Sequence, residues 1–141
     1  MDRVEVGGSP ERFIFTDVQR GTNGVPFSML VAVELGGLTA GREVASHYVS
    51  GFDDLVLFFV DLAEDWRGWD GERTYESMEH DFLLVARHTG SHVKLGFTLQ
   101  DPSFPEEWCV RGTVTLDAGE ELSGASEDIQ ALFTAQPTRS P

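Results

Sequence analysis

The 141-residue chain has one lysine, Lys94, and one cysteine, Cys109. A lone cysteine excludes an internal disulfide and suits a reducing compartment, so a cytoplasmic location is expected. Positive charge is scarce: ten Lys and Arg stand against 24 Asp and Glu, a formal net charge of −14 at pH 7. This argues against nucleic-acid or anionic-membrane binding, both of which need positive potential. Long apolar runs are also missing. The longest, residues 55–60, falls far short of the roughly 20 residues that cross a bilayer. The first ten residues lack the apolar centre of a signal peptide.

Chemical motifs are equally sparse. There is no Gly-x-Ser-x-Gly elbow, no Gly-rich phosphate loop before a helix, no His-Glu-x-x-His run and no cysteine pair. Ser46 and His47 adjoin in a predicted strand, so their side chains point to opposite faces. Cys109 has no neighbouring cation to activate its thiol. No catalytic residue and no cofactor is assigned.

What the chain does have is core material: 40% apolar residues, with ten Phe and three Trp. A chain of this length buries roughly 68–70% of its unfolded surface, enough for one domain without staples. Residues 1–11 read as a flexible N-terminus, 12–136 as a single domain and 137–141 as a disordered tail.

Period-2 patterning places strands at residues 12–19, 27–35 and 38–49, separated by the Asn23-Gly24 and Gly36-Gly37 turns. The period then changes to 3.6. Ser50 with Asp53 reads as a capping-box-like helix start. Phe52, Leu55, Val56, Phe59, Leu62, Ala63 and Trp66 fall in one arc, predicted to face the core. Strands resume at 73–79, 82–88, 93–100 and 108–116, and a closing helix spans 119–133. The order is βββαββββα. Hairpin-length connections predict an α+β domain with a mainly antiparallel sheet of about seven strands and two helices packed on one face.

Charge is concentrated after the first three strands. Residues 53–81 carry ten acids and only Arg67 and Arg73. Asp53, Asp54, Asp61, Glu64 and Asp65 lie opposite the apolar arc of the helix. Glu64 and Asp65 fall in its last turn, where the helix dipole opposes each by about 0.3–1 kcal/mol. No lysine on the helix offsets them, so local stability does not account for their presence.

Two further groups could carry chemistry. His88 and His92 flank Thr89-Gly90-Ser91. If the hairpin loop has three residues they are cross-strand neighbours and could share a metal; with two or four they face opposite ways. Asp70, Glu72, Glu76 and Glu79 lie near Trp69 and Tyr75, and carboxylates beside aromatics can serve carbohydrate chemistry. Trp66 is expected in the core. Trp69, in a Gly-flanked turn, either closes the end of the core or stands exposed as an anchor for a partner.

The run Trp66-Arg-Gly-Trp-Asp-Gly, then Tyr75-Glu-Ser-Met-Glu79, Leu84-x-Ala-x-His88 and His92-Val-x-Leu, resembles an uncharacterised bacterial domain-of-unknown-function family. Its members are small acidic domains with a Trp-rich turn and a His-Asp-Gly-x-Gly-His-Val hairpin. Here His88-Thr-Gly-Ser-His92 is shorter than that pattern. The resemblance covers about residues 12–133 and implies no activity or catalytic residue. In size, charge and order of elements the chain is also similar to small immunity proteins of bacterial toxin systems, an analogy at the level of fold only.

These observations favour a non-enzymatic, immunity-like binding protein. Its partner surface would comprise Asp61, Glu64, Asp65, Trp69, Asp70 and Glu72 and would take a basic protein. An alternative is a small enzyme or ligand-binding domain with a pocket where Trp69, Glu76, His88 and His92 converge. A third is a structural homodimer subunit joined through an unpaired edge strand; the chain is otherwise a monomer.

Overall fold

The computed structural model describes residues 2–8, 10–103 and 107–134. Its elements are β1 (Arg3–Gly8), β2 (Glu11–Arg20), β3 (Pro26–Leu35), β4 (Leu38–Ala45), α1 (Asp53–Glu64), β5 (Glu72–Glu76), β6 (Phe82–His88), β7 (His92–Gln100), β8 (Cys109–Asp117) and α2 (Glu120–Thr134). The strands form two antiparallel sheets, β1-β2-β3-β4 and β5-β6-β7-β8. Each is a meander, because its connections are of hairpin length: Gly8 pairs with Glu11 and Leu35 with Leu38.

The expected count of about seven strands is corrected to eight, divided between two sheets, and the helices lie along edge strands rather than together on one sheet face. The extra strand is β1, within the segment expected to be flexible. Val4 and Val6 are buried while Arg3 and Glu5 face outward. Only two core residues mark this strand, and the Gly7-Gly8 pair beside them masks the alternation. Arg3, Glu5, Arg12 and Glu34 form a chain of ion pairs on the outer face across β1, β2 and β3. The predicted tail, 137–141, lies outside the described residues.

The two sheets share one apolar core. Inward residues of the first include Phe13, Phe15, Met29, Val31 and Val33; those of the second include Phe82, Leu84, Leu95, Phe97 and Leu99. Phe13 meets Phe82 and Phe97 edge-on at ring-centroid distances of 6.2 and 5.5 Å. Fully burying each of these side chains contributes about 1.5–3 kcal/mol. Helix α2 lies against β1 and β8, an edge strand of each sheet, while α1 packs on α2 and β5. Phe52 and Phe133 stack at 5.0 Å where the helices meet.

Helix α1 begins later than its sequence suggests. Phe52, not Ser50, is the N-cap, and it makes no side-chain capping bond. Residues 47–51 are engaged in a bridge of their own, in which His47 pairs with Gly51. The buried face of α1 is Leu55, Phe58, Phe59 and Leu62. Among the described residues, no helix is long and apolar enough to cross a membrane.

Candidate functional site

The C-terminal end of α1 runs into the Trp66–Gly71 turn, and β5 returns beside it. Asp61 and Glu64 are exposed on the outer face of the helix. No basic residue lies in the last turn of α1. The missing cation comes from β5 instead. The Arg73 guanidinium stands 2.8 Å from Asp65 Oδ2 and donates to the backbone carbonyl of Asp61 at 3.4 Å. It also lies over the Trp69 ring, 4.9 Å from the centroid. The acidic end of the helix is thus compensated by a residue from another element, at the place where the dipole favours a cation. That arrangement corrects the expectation that local stability cannot accommodate Asp65.

Trp66 departs from its expected place in the core, while Trp69 takes the first of its two expected places, closing the end of the core. Trp66 lies past the helix end and is 45% exposed, with Arg67 stacked over its ring at 5.0 Å. The 3.6-residue pattern does not reach it, because α1 stops at Glu64. Trp69 is partly buried and packs against the core. Its ring meets His88 edge-on at 5.2 Å. Trp69, the aromatic assigned to the partner surface, is therefore the lid of the core end, and Trp66 is the exposed ring.

His88 joins the two turns. The Gly90 N–H donates to its Nδ1 at 3.0 Å, which leaves Nε2–H to donate to the Trp66 carbonyl at 2.7 Å. Both ring nitrogens are engaged, which fixes the orientation of the imidazole. His88 pairs with Val93, so the hairpin loop has four residues and His92 lies on the opposite face. His92 is exposed, with Ser91 Oγ 2.9 Å from its Nδ1. The weak metal candidates His88 and His92 therefore cannot share an ion.

The remaining carboxylates are dispersed. Glu72 pairs with Arg87 across β5 and β6. Glu76, at the far end of β5, pairs with His80 at 2.5 Å. Asp70 is exposed. The pocket in which Trp69, Glu76, His88 and His92 converge is not formed: Trp69 and His88 touch, while Glu76 and His92 lie elsewhere. Of the six residues assigned to a partner surface, Asp65 and Glu72 are ion-paired and Trp69 is partly covered. Asp61, Glu64 and Asp70 remain exposed and form no ion pair among the described residues.

Two features had no clear signal in the sequence. One is Asp81, fully buried between the sheets and bound by Arg42 and Ser77. The other is the loop between β4 and α1, which holds Tyr48 and Val49 in solvent at 81% and 65% exposure. Alternation had placed Tyr48 on a strand face; β4 ends earlier, at Ala45. Close to this loop, partial desolvation raises the Asp54 carboxyl above its ordinary range. Burial pushes the Tyr75 phenol up strongly, which removes it from acid–base chemistry near neutrality.

Compared with known proteins, residues 6–136 match the model of DUF6228, described as a family of unknown function. No curated protein and no solved structure matches the chain.

Proposed function

The chain belongs to the DUF6228 family, and we propose from its geometry that it is a small cytoplasmic binding protein that masks a basic surface of a protein partner. The observation that carries this reading is the outer face of α1. Leu57, Asp61 and Glu64 follow one another at helical spacing, and Leu57 is 58% exposed. Trp66 stands just beyond them, also exposed. An apolar residue and an aromatic ring among unpaired carboxylates are suited to Arg- and Lys-bearing surfaces. Arg67 over the Trp66 ring illustrates how this ring receives a guanidinium.

Charge supports the reading as well. At −14 the chain draws a basic partner over long range and repels acidic ones. Masking of that kind is the mode of an immunity protein. The surface proposed is Leu57, Asp61, Glu64, Trp66 and Asp70, with Trp66 in the role first given to Trp69. The lone cysteine supports the compartment.

The test uses a partner recovered by affinity capture and then purified. Asp61→Asn, Glu64→Gln and Asp70→Asn together are expected to weaken its binding by about tenfold and to flatten the salt dependence. Unchanged affinity and salt slope would show that this face is not the interface.

A further inference from the structure

The loop joining β4 to α1 is pinned at every point of its base. Gly51 N–H donates to the His47 carbonyl at 2.8 Å, and His47 N–H to the Gly51 carbonyl at 3.3 Å. Ser46 N–H binds the Phe27 carbonyl at 3.0 Å, and Ser46 Oγ donates to the Pro26 carbonyl at 2.7 Å. Within the loop, His47 Nδ1 accepts from the Val49 and Ser50 N–H groups at 3.2 and 3.4 Å. Gly51 is buried with φ +62°, and a Cβ there would stand 3.3 Å from both Val25 and Pro26. Glycine lets the chain turn at this close approach.

This rigid base holds apolar side chains out in water. Tyr48 stacks on His47 with centroids 5.3 Å apart and planes 8° from parallel, its other face open. Among the described residues, Tyr48 and Val49 are the two most exposed of the large apolar side chains, and Phe27, on the strand that anchors the loop, is half exposed. Beside them lies a recess of about 270 Å³ of mixed lining, with Val25, Pro26, Val49 and Phe133 set among Asn23, Ser50 and Asp53. Arg20 also borders it, its guanidinium held in place by the Gly24, Leu132 and Phe133 carbonyls. Asp53 and Asp54 follow at the start of α1. A preorganised ring, the exposed Val49 and Phe27 side chains and adjacent carboxylates suit a ligand that is apolar and cationic together.

We propose that Tyr48, Val49 and Phe27 form the apolar anchor of a docking surface for a basic segment of another protein. Large apolar side chains of that segment pack on these three residues, and its Arg or Lys side chains meet Asp53 and Asp54. The proposal rests on the reading of a basic partner but not on the outer face of α1.

The full chain, ¹⁵N-labelled, is titrated with two synthetic peptides. One alternates Arg with Leu and Trp; the other has the same arginines with Ser at the apolar positions. The apolar peptide is expected to bind about tenfold more tightly and to shift the Phe27, Tyr48, Val49 and Asp53 amides first. Tyr48→Ser should abolish the difference between the peptides without changing the melting temperature. Val49→Ser serves as a second variant should Tyr48→Ser perturb the loop. Equal binding of the two peptides, shifts that begin elsewhere, or a Tyr48→Ser protein that still discriminates would each overturn the proposal. The same titration on the Asp61→Asn, Glu64→Gln, Asp70→Asn protein separates the readings. If that variant keeps both the discrimination and the salt slope, the loop binds independently of the α1 face, whose own failure is read only from an unchanged affinity for the captured partner.

Discussion

The Arg42 Nε lies 2.8 Å from Oδ2 of Asp81, tying β4 of one sheet to the β5–β6 turn of the other. The Asp81 carboxylate has no exposure to solvent, and its other oxygen accepts the Ser77 hydroxyl at 2.6 Å. Ser77 Oγ in turn accepts the Asp81 and Phe82 N–H groups, so the carboxylate, the hydroxyl and the turn form one network. Removing one partner leaves a buried charge with half its compensation. Arg42→Ala is expected to cost about 3 kcal/mol, at the low end for such pairs because the Arg42 side chain is 27% exposed. Asp81→Asn should cost less, since the charge left behind is the Arg42 guanidinium, which reaches solvent, rather than a fully buried carboxylate. Urea unfolding of both variants checks the order; a larger loss for Asp81→Asn would contradict it.

Arg73 predicts a smaller effect of a different kind. It supplies the cation at the C-terminal end of α1 and covers Trp69. Arg73→Gln should lower stability by about 1 kcal/mol, the sum of a modest dipole contribution and an exposed cation–π contact. High salt should shrink the difference. Arg73→Lys keeps the charge but not the planar stack, and should fall between the two in thermal melts followed by Trp fluorescence.

Periodicity made much of this fold legible. The stripe Leu122, Ala125, Ile129, Leu132 and Phe133 predicted for the last helix is its buried face, and the inward parity of β7 is as expected. What failed was non-local. Arg42 and Asp81 are 39 residues apart, and no local pattern tells a strand-borne arginine that a buried carboxylate awaits it. The division into two sheets depends on which edges pair, and hairpin spacing leaves that open. The exposure of Trp66 follows from a helix that ends two residues before its apolar arc does. Tyr48 was misplaced because alternation continues through Ser46 although the chain has already turned.

Asp54 gives a pH-dependent prediction. Its carboxyl is raised above the ordinary range, first by desolvation and further by Asp53. Between the unfolded and the raised folded value, the folded chain holds a proton that the unfolded chain has released. The contribution to stability is therefore fully present below the unfolded value and is lost as pH rises through the folded one. At neutral pH the ionised Asp54 is a net cost. Asp54→Asn should raise the melting temperature at neutral pH while keeping the 2.9 Å acceptor for the Leu55 N–H. The gain should vanish in acid, where the native side chain is itself protonated. A gain that grows on acidification would contradict this.

Gly112 marks a close approach of the two sheets at β8. A Cβ at this position would stand 2.8 Å from Phe97 Cζ and 3.0 Å from Leu35 Cδ2, one contact within its own sheet and one from the other. Phe97 is a core side chain, and Leu35 is partly buried against the same core. Gly112→Ala should therefore destabilise by about 1–3 kcal/mol through overpacking, despite alanine's lower unfolded-state entropy. Gly24 provides a contrast, having open space at its Cβ and φ +81°. Gly24→Ala should cost about 1 kcal/mol from backbone strain alone. A second substitution separates the two causes. Leu35→Ala vacates the space that the new methyl would enter, so it should recover part of the loss at Gly112 and none at Gly24. Double-mutant cycles by urea denaturation measure that coupling; equal coupling at both positions would show that the sheet contact at Gly112 is not what excludes a side chain.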